Sequence, residues 1–433
     1  MIVSSGPAIA PISIEQQTMR KLKIRILPFI LLLYIVAFLD RINIGFAALT
    51  MNRELAITSH QFGLLAGIFF AGYSICEIPS NLLLHKIGAR IWIARILITW
   101  GMVAALTGFV FTVRQLYLAR FLLGVAEGGY FPGMLLYLTY WFRQREQARV
   151  IALVLMGIPI TNVVGAPVSG LILDHVHWLG FASWRWLLIL EGIPALVCGV
   201  LTYYLLPSRP AEATFLAEEE KSWIIGQLEL EEEKKRETQR LSATGALMHK
   251  RVWHLACIAL ALGTALYIVN FWLPQTVKAL ASGSSNTVVG LLVMVPNLVG
   301  LLLMIIISRH SDEKRERRWH AAVPALAGGI ACLFLIAPHS TIVSIALLSL
   351  LAVGVYGAVA PFWAIPSEFL TGFSAAAGIA LISSIANIGG FVGPYAVGFM
   401  KQKTGNLQGS VALAGIALLV FAILLLLLPK KRV

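Results

Sequence analysis

The chain has 433 residues, of which 58% are hydrophobic and only 13% are charged, and its formal net charge is +13. Soluble domains are about 45–50% apolar and about 25% charged. This composition excludes a soluble multidomain enzyme, a disordered chain and a fibrous repeat. The basic excess lies mainly between apolar segments, so it indicates membrane topology rather than binding to nucleic acid.

Twelve apolar segments, each long enough to cross a bilayer, follow one another along the chain. A spanning helix needs roughly 20 apolar residues. Six such segments precede a polar stretch: Leu27–Thr50, Phe62–Leu84, Ile91–Thr112, Leu116–Leu138, Ala148–Leu171 and Trp186–Leu206. Six more follow it: Val252–Val277, Val288–Ser308, Ala321–Ala337, Ile342–Ile365, Ala375–Met400 and Val411–Leu428.

Two halves of near-equal length indicate an internal duplication of the kind found in transporters. We therefore predict an all-α membrane protein with twelve transmembrane helices in two pseudo-symmetric six-helix bundles. The predicted boundaries are a cytoplasmic N-terminal segment (1–26), the first bundle (27–206), a cytoplasmic linker (207–251), the second bundle (252–428) and a cytoplasmic tail (429–433).

The loop charges predict the orientation of the chain. With the N-terminus in the cytoplasm, 26 of the 34 Lys and Arg residues fall in cytoplasmic segments and six fall in outer loops. This bias predicts a protein of the cell's inner membrane with both termini on the cytoplasmic side. Met1–Gln17 lacks the pattern of a secretory signal, so we expect the first span to stay in the mature protein. We expect a monomer in the lipid bilayer with no nucleic-acid partner.

Acidic and basic residues alternate at helical spacing within the linker, from Glu218 to Lys235. This pattern predicts one or two helices that lie on the cytoplasmic face. They serve either as a tether between the halves or as a regulatory site, and the sequence leaves both open.

Few charges lie inside the predicted spans. A charge in the core of a spanning helix costs about 2.5–3.5 kcal/mol on insertion scales and often marks a transport pathway. Asp40 and Arg41 lie deep in the first span, and Glu77 lies deep in the second. Arg120 and Glu127 share one face of the fourth span, because seven residues nearly complete two helical turns.

These charges have two interpretations. In the first they form structural ion pairs between helices: Asp40 pairs with Arg120, or Glu127 pairs with Arg41. In the second, the Arg41 guanidinium binds a substrate carboxylate through two parallel hydrogen bonds. Burial favours a neutral carboxyl group and a nearby arginine favours an ionised one, so Asp40 and Glu127 could then carry protons. We favour the second interpretation for these three residues, and a structural ion-pair role for Glu77 and Arg120.

The second half has no charge at mid-membrane and offers amide and aromatic groups instead. Asn270 and Asn387 are equally consistent with substrate contact and with hydrogen bonds between helices. Trp363 lies between Pro361 and Pro366, and prolines there free backbone groups that are tolerated beside a cavity. We therefore include Asn270, Trp363 and Asn387 among the predicted substrate-binding residues.

Motifs of enzymes and metal sites are missing from the sequence. GxxxxGK[ST], HExxH, CxxC and GxSxG do not occur, and the nine histidines lie in loops or near span ends. The four cysteines lie in apolar segments and are interpreted as small hydrophobes. We therefore expect no enzyme activity, no cofactor and no metal, and transport that is passive or driven by an ion gradient.

Two loops resemble the cytoplasmic signature of the major facilitator superfamily. The first is His85–Arg90, although His85 stands where an aspartate is usual and Asn81 where a glycine is usual. The second is Ser308–Arg318, which keeps Asp312 and lacks the glycines. These departures concern the usual lock between helices in the first half rather than the fold.

Further strings in both halves resemble the anion:cation symporter family within that superfamily. They are Phe38–Asn43, Glu77–Asn81, Gly124–Gly133 and Asn387–Pro394. The bacterial members that this chain resembles take up organic acids such as tartrate, sugar acids and aromatic carboxylates together with protons. The resemblance implies that Arg41 binds the substrate carboxylate, that Asp40 and Glu127 handle protons, and that Tyr73 and Asn387 match positions of the substrate cavity.

The family also has a polar residue in the fifth span where this chain has Ile158. Thr161 and Asn162 follow about one helical turn later, and Asn162 joins the predicted substrate-binding residues. We expect the apolar residue at Ile158 to affect which organic acid the protein transports.

The sequence therefore predicts a secondary active transporter that imports a small organic anion with protons by alternating access. One alternative is an exporter or uniporter of a similar anion, and another is a membrane receptor without transport. Charges buried in the membrane argue against the receptor, because a scaffold gains little from them. A channel is disfavoured because no charged ring or filter loop is visible.

Overall fold

The computed structural model describes residues 13–237, 247–366 and 372–429. Over these residues the chain forms α-helices, two short 3₁₀ turns and no β-strand. The first half contains α1 (Ile14–Arg25), α2 (Leu27–Glu54), α3 (Ser59–Ile87), α4 (Ala89–Thr107), α5 (Val113–Glu127), α6 (Tyr130–Thr139), α7 (Gln144–Leu155), α8 (Gly157–His175) and α9 (Ser183–Leu205). The remainder contains α10 (Glu218–Glu237), α11 (Lys250–Leu280), α12 (Asn286–Lys314), α13 (Arg318–Phe334), α14 (Thr341–Ala364), α15 (Gly372–Thr404) and α16 (Leu407–Leu426).

The helices account for the twelve predicted spans. Ten segments of the described chain are long and apolar enough to cross a membrane. Helices α3 and α13 supply the second and ninth spans, and each packs lengthwise against other spanning helices. The fourth span consists of α5 and α6, and the fifth consists of α7 and α8. The predicted all-α fold of two six-helix bundles is confirmed.

Helix α10 and helix α1 lie together on one face of the molecule, which we call the linker face. Lys21 Nζ is 2.8 Å from Glu220 Oε2, which joins the two helices. The Gln144 backbone N–H donates to Glu231 Oε2 at 3.0 Å, so α10 also contacts the start of α7. Helix α10 covers the segment for which the charge pattern predicts a helix. Residues 238–246, and the ends of the chain at 1–12 and 430–433, lie outside the described residues.

Six of the spanning helices begin at the face opposite the linker, and five of them have a capping side chain there. A helix leaves its first N–H groups without partners, and Ser, Thr or Asn side chains can accept from them. At α3, Thr58 and Gln61 bond reciprocally as a capping box, with distances of 3.2 and 2.9 Å. The other four helices are capped by Thr112, Ser285, Ser340 and Asn406. The sequence therefore fixes where these helices start.

The two bundles pack against each other most closely at the face opposite the linker. A Cβ atom at Gly63 of α3 would lie 2.6 Å from the Pro394 carbonyl oxygen of α15. Gly290 of α12 approaches Ala166 of α8 so closely that a Cβ atom there would overlap its carbonyl oxygen. Glycines therefore allow backbone-to-backbone contact across the interface. This contact closes the space between the bundles on that face.

Candidate functional site

Arg41 and Glu127 form a buried ion pair near the middle of the first bundle. Arg41 Nη2 donates to Glu127 Oε1, and the two side chains are 9% and 1% exposed. Arg41 Nη1 donates to the hydroxyl oxygen of Tyr267 at 3.1 Å. Tyr267 belongs to α11 of the second bundle, so the guanidinium contacts both halves of the protein.

Aromatic rings surround the charged end of Arg41. Its guanidinium carbon lies 5.6 Å from the ring centre of Phe38, 5.2 Å from that of Phe69 and 5.3 Å from that of Tyr73. The negative faces of such rings attract a cation where water is excluded. The rings and Glu127 together offset the free-energy cost of burying the Arg41 guanidinium in the interior of the protein.

A break in the fourth span positions Glu127. Helix α5 ends at Glu127, and Gly129 adopts the left-handed conformation with φ of +85° before α6 begins. A Cβ atom at Gly128 would lie 2.8 Å from Cys76 Cβ of α3, and one at Gly129 would overlap Ser80. Only glycine fits both the backbone conformation and the close approach of α3. The predicted fourth span, Leu116–Leu138, is therefore interrupted at these glycines.

A cavity of about 70 Å³ lies between the two bundles beside Arg41. Four predicted substrate-binding residues line it: Arg41, Tyr73, Trp363 and Asn387. Ile158, the position at which the chain departs from the family, also lines it. Arg41 is the only basic side chain among the described residues that form its wall. The cavity therefore presents one cation to a molecule between the bundles.

The other two predicted substrate-binding residues, Asn162 and Asn270, are not part of the cavity wall. Asn162 Nδ2 donates to Asn270 Oδ1 at 2.8 Å, and both side chains are buried. Asn270 Nδ2 in turn donates to the Leu266 carbonyl oxygen at 2.7 Å. The two side-chain amides are hydrogen-bonded to each other between α8 and α11. In this structure they therefore join the two helices instead of facing a substrate.

Asp40 points away from the cavity, into the first bundle. It is 1% exposed and accepts a hydrogen bond from Trp100 Nε1 of α4. Asn43 Nδ2 donates to its other oxygen at 3.4 Å. Adjacent residues of a helix point about 100° apart, so Asp40 and Arg41 face different surroundings. Asp40 and Arg120 form no ion pair among the described residues.

Glu77 and Arg120, for which we favour a structural ion-pair role, form no ion pair among the described residues, with each other or with another side chain. Glu77 Oε2 accepts from Ser384 Oγ of α15 at 3.0 Å, which joins the two bundles. Arg120 is 1% exposed, and its guanidinium lies 5.3 Å from the ring centre of Phe69. Phe69 precedes Glu77 by about two turns of α3, so the two charged groups lie at different depths and cannot meet.

The sequence analysis missed Glu191, a buried carboxyl group in α9. It is 2% exposed, and its Oε1 accepts from Ser169 Oγ of α8 at 2.7 Å. Its Oε2 has no hydrogen-bond partner, and no cation pairs with it among the described residues. A single acidic residue inside the apolar segment Trp186–Leu206 is the signal that could have found it.

The cavity wall combines one cation with a few polar side chains and many apolar ones. Residues that could hold a metal ion in groups of three or more are not found in the described parts of the chain. The helices, the two bundles and the cavity between them define a multi-pass membrane protein with one buried site shared by its two halves.

Comparison with known sequences shows the family. The profile of the Major Facilitator Superfamily matches residues 30–394, so the chain belongs to this family. It is 43% identical over 418 residues to a protein of Agrobacterium vitis named "Putative tartrate transporter", covering 96% of this chain and 92% of that protein. It is 38% identical over 419 residues to the "Putative metabolite transport protein NicT" of Pseudomonas putida, covering 95% and 94%.

Comparison with solved structures agrees on the fold. A bacterial homologue of the human lysosomal transporter Spinster, crystallised in an inward-facing and occupied conformation, superposes with a TM-score of 0.74. The identity is 15%, and the match covers 93% of this chain and 96% of that one. At this identity the likeness concerns the fold alone.

Proposed function

We propose that the protein imports a small organic carboxylate together with protons by alternating access across the inner membrane. The observation that carries the proposal is the position of Arg41, which is a buried cation on the cavity wall with Glu127 as its counter-ion. The relative named for tartrate supports an organic anion as the substrate. The proposed cytoplasmic position of both termini follows from the loop charges.

The geometry suggests how a carboxylate and a proton could be coupled. The two amino groups of Arg41 are divided between Glu127 and Tyr267. A substrate carboxylate that accepts from both Nη groups of the guanidinium would compete with these two partners. Glu127 would then be a buried carboxylate without a cation, which burial strongly disfavours. It would become neutral by binding a proton, so substrate and proton would bind together.

Asp40 is the second proton-carrying group in the proposal. Its carboxyl group is buried beside Trp100 and has no basic partner among the described residues. It is separated from the cavity wall but adjoins Arg41 along the chain. A proton on Asp40 would therefore respond to the conformation of α2 rather than to direct contact with the substrate.

Alternating access fits the division of the site between the bundles. Arg41 and Tyr73 come from the first bundle, and Tyr267, Trp363 and Asn387 come from the second. Close packing of α3 with α15 and of α8 with α12 closes the face opposite the linker. If the bundles rock about the cavity, this face opens while the linker face closes.

Uptake into proteoliposomes tests the proposal. The purified protein is reconstituted, a panel of labelled carboxylates is offered outside, and uptake is compared with and without an inward proton gradient. We expect accumulation above equilibrium only with the gradient, accompanied by movement of protons into the lumen. Uptake that equilibrates without moving protons would indicate a uniporter, and absence of uptake for every acid would indicate a receptor.

A further inference from the structure

We propose that protons reach Asp40 from the face opposite the linker, along a path inside the first bundle in which Glu191 is the intermediate proton-binding residue. Asp40 is not part of the wall of the substrate cavity, so its protons need another route. The path is separate from that cavity. It rests on the proposed function, because only a proton-coupled transporter would use it.

Glu191 and Asp40 belong to one buried polar cluster, and Asn43 lies between them. Asn43 Nδ2 donates to Asp40 Oδ1 at 3.4 Å, and its side chain also faces Glu191. Asp40 and Glu191 are 1% and 2% exposed, and they are close enough to interact electrostatically. Two acidic groups from α2 and α9 therefore meet inside the first bundle.

Two buried oxygens of this cluster have no hydrogen-bond partner in the described chain. They are Oδ1 of Asn43, which is 2% exposed, and Oε2 of Glu191. Such atoms are rare in protein interiors, and some of them mark a functional role. Ser169 Oγ already donates to the other oxygen of Glu191 at 2.7 Å. The proton of a neutral Glu191 therefore belongs on Oε2.

A recess of about 560 Å³ opens at the face opposite the linker. Its wall includes Thr50, Leu173 and Ser183, which lie at the ends of α2, α8 and α9 on that face. The same three helices carry the polar cluster. His177 also lines the recess and can exchange protons with water near neutral pH. The recess therefore connects the outer solution to the helices around Glu191.

The cluster lies below the recess in an order that suits stepwise transfer. On α2, Thr50, Asn43 and Asp40 share one face, and the last two lie about 10 and 15 Å below Thr50 along the helix axis. On α9, Glu191 lies about 12 Å below Ser183. Glu191 is therefore between the recess and Asp40 in depth.

Apolar side chains separate the recess from the cluster. They include Ala47 and Leu187, both 0% exposed and each about one helical turn from the polar groups. This layer prevents a continuous leak, so transfer requires a change in the packing of α2 and α9. A neutral Glu191 then gives its proton to the ionised Asp40 carboxylate, and the Glu191 carboxylate that remains takes up a proton from water in the recess.

Two substitutions of Glu191 distinguish proton transfer from a structural role. Glu191→Gln keeps the shape and an acceptor for Ser169 but cannot carry a proton. Glu191→Asp keeps a titratable group and is shorter by one methylene. If Glu191 only joins α8 to α9, glutamine is tolerated better than aspartate. If it carries protons, the aspartate variant retains more proton-driven uptake than the glutamine variant.

The measurement is the ratio of gradient-driven uptake to exchange of internal for external substrate in proteoliposomes. Labelled tartrate is the probe, or the acid of the panel that the unaltered protein accumulates best. Exchange needs no net movement of protons, so it reports folding and substrate binding in the same sample. We expect Glu191→Gln to lower the ratio at least about tenfold and Glu191→Asp to lower it less. Thr202→Val removes a buried hydroxyl elsewhere on α9 and should leave the ratio unchanged.

A thiol reagent in the recess tests where the protons enter. Thr50→Cys, in a background without native cysteines, is treated with a membrane-impermeant methanethiosulfonate in right-side-out vesicles. We expect the same ratio to fall, because the attached group fills the recess above Glu191. Leu179→Cys is the control, since Leu179 is 84% exposed on the same face and does not line the recess. Its modification should have no effect.

The outcomes separate this path from the proposed function. If the unaltered protein shows proton-driven uptake and Glu191→Gln keeps a normal ratio, or is tolerated better than Glu191→Asp, Glu191 does not carry protons and the proposed function stands. An unchanged ratio in modified Thr50→Cys would show that protons enter by another route. If the unaltered protein accumulates no acid of the panel with a proton gradient, the path and the proposed function are both wrong.

Discussion

The planar guanidinium group of Arg41 contacts both bundles, so the shape of this group matters as much as its charge. One amino group faces Glu127 and the other lies 3.1 Å from the Tyr267 hydroxyl. Lysine keeps the charge but cannot bind two oxygens in this fixed geometry. We expect Arg41→Lys to weaken carboxylate binding by at least about tenfold, nearly as much as Arg41→Ala, since a charged hydrogen bond contributes about 1.5–3 kcal/mol.

Substrate affinity of the purified variants measures this effect. Arg53→Lys is the matched control, because Arg53 is exposed on the same helix and does not line the cavity. Near-normal affinity in Arg41→Lys would show that the guanidinium does not bind the carboxylate with two hydrogen bonds.

Glu127 is the counter-ion that a substrate would displace. Glu127→Gln imitates the permanently protonated side chain, so we expect it to bind substrate and to exchange internal for external substrate. It should lose accumulation driven by a proton gradient, because the proton cannot leave. Exchange and gradient-driven uptake are measured on the same reconstituted variant.

The structural interpretation of Glu127 makes a different prediction. If the residue only pairs with Arg41 to hold the helices, Glu127→Gln lowers the amount of folded protein and affects both activities equally. Intact proton-driven accumulation by a folded variant would exclude Glu127 from coupling and leave Asp40 as the candidate.

Glu191 is a carboxyl group buried without a cation among the described residues. Such a group is expected to be neutral, since an isolated buried charge is costly. We expect Glu191→Gln to be close to neutral for thermal stability, because the amide oxygen can still accept from Ser169. Glu191→Ala should cost about 1–3 kcal/mol by leaving a buried donor unpaired. Destabilisation by Glu191→Gln as large as that by Glu191→Ala would show that an amide cannot replace the carboxyl group as the acceptor for Ser169.

At the scale of helices, the Asp174 side chain at the end of α8 hydrogen-bonds to the start of α12. Its Oδ1 accepts from the backbone N–H and side-chain amide of Asn286 at 3.1 and 2.8 Å. Its Oδ2 accepts from the backbone N–H and hydroxyl of Thr287, both at 2.7 Å. A carboxylate suits the positive end of a helix, so these four bonds hold the bundles together on the face opposite the linker.

Removing this charge should favour the state that is open on that face. We expect Asp174→Asn to shift the ratio of open to closed molecules by about tenfold, which corresponds to about 1.4 kcal/mol. A thiol reagent applied from that face should then label a cysteine at the cavity residue Leu262 faster, in a background without native cysteines.

Glu54→Gln provides the control for Asp174. Glu54 accepts from Trp184 Nε1 at 2.7 Å and from Arg185 at 3.2 Å, and all three residues belong to the first bundle. Loss of its charge should leave labelling unchanged. If Asp174→Asn labels no faster than Glu54→Gln, the contact does not control opening.

At the scale of the whole molecule, the loop charges predict which face meets the cytoplasm. The side chain of Glu218 is 87% exposed on the linker face, and Leu179 is 84% exposed on the opposite face. With a membrane-impermeant reagent on intact cells, we expect Leu179→Cys to be labelled and Glu218→Cys to be protected. Labelling of Glu218→Cys from outside would reverse the orientation, and inverted vesicles supply the reciprocal control.

The number of spans, the two halves and the buried charges could all be predicted from the sequence. Hydrophobic length and the cost of a charge in the membrane are properties of a local segment, so composition and spacing report them directly. The capping residues that begin α3 and α5 are local in the same way.

Only the tertiary structure decided which of these residues meet. Arg41 bonds Glu127 and Tyr267, which lie 86 and 226 positions away, and Asn162 bonds Asn270 across 108 positions. The sequence left the partners of Arg41 open and assigned both asparagines to the substrate. Such contacts depend on which helix faces meet and at what depth, and periodicity within one helix does not contain that information.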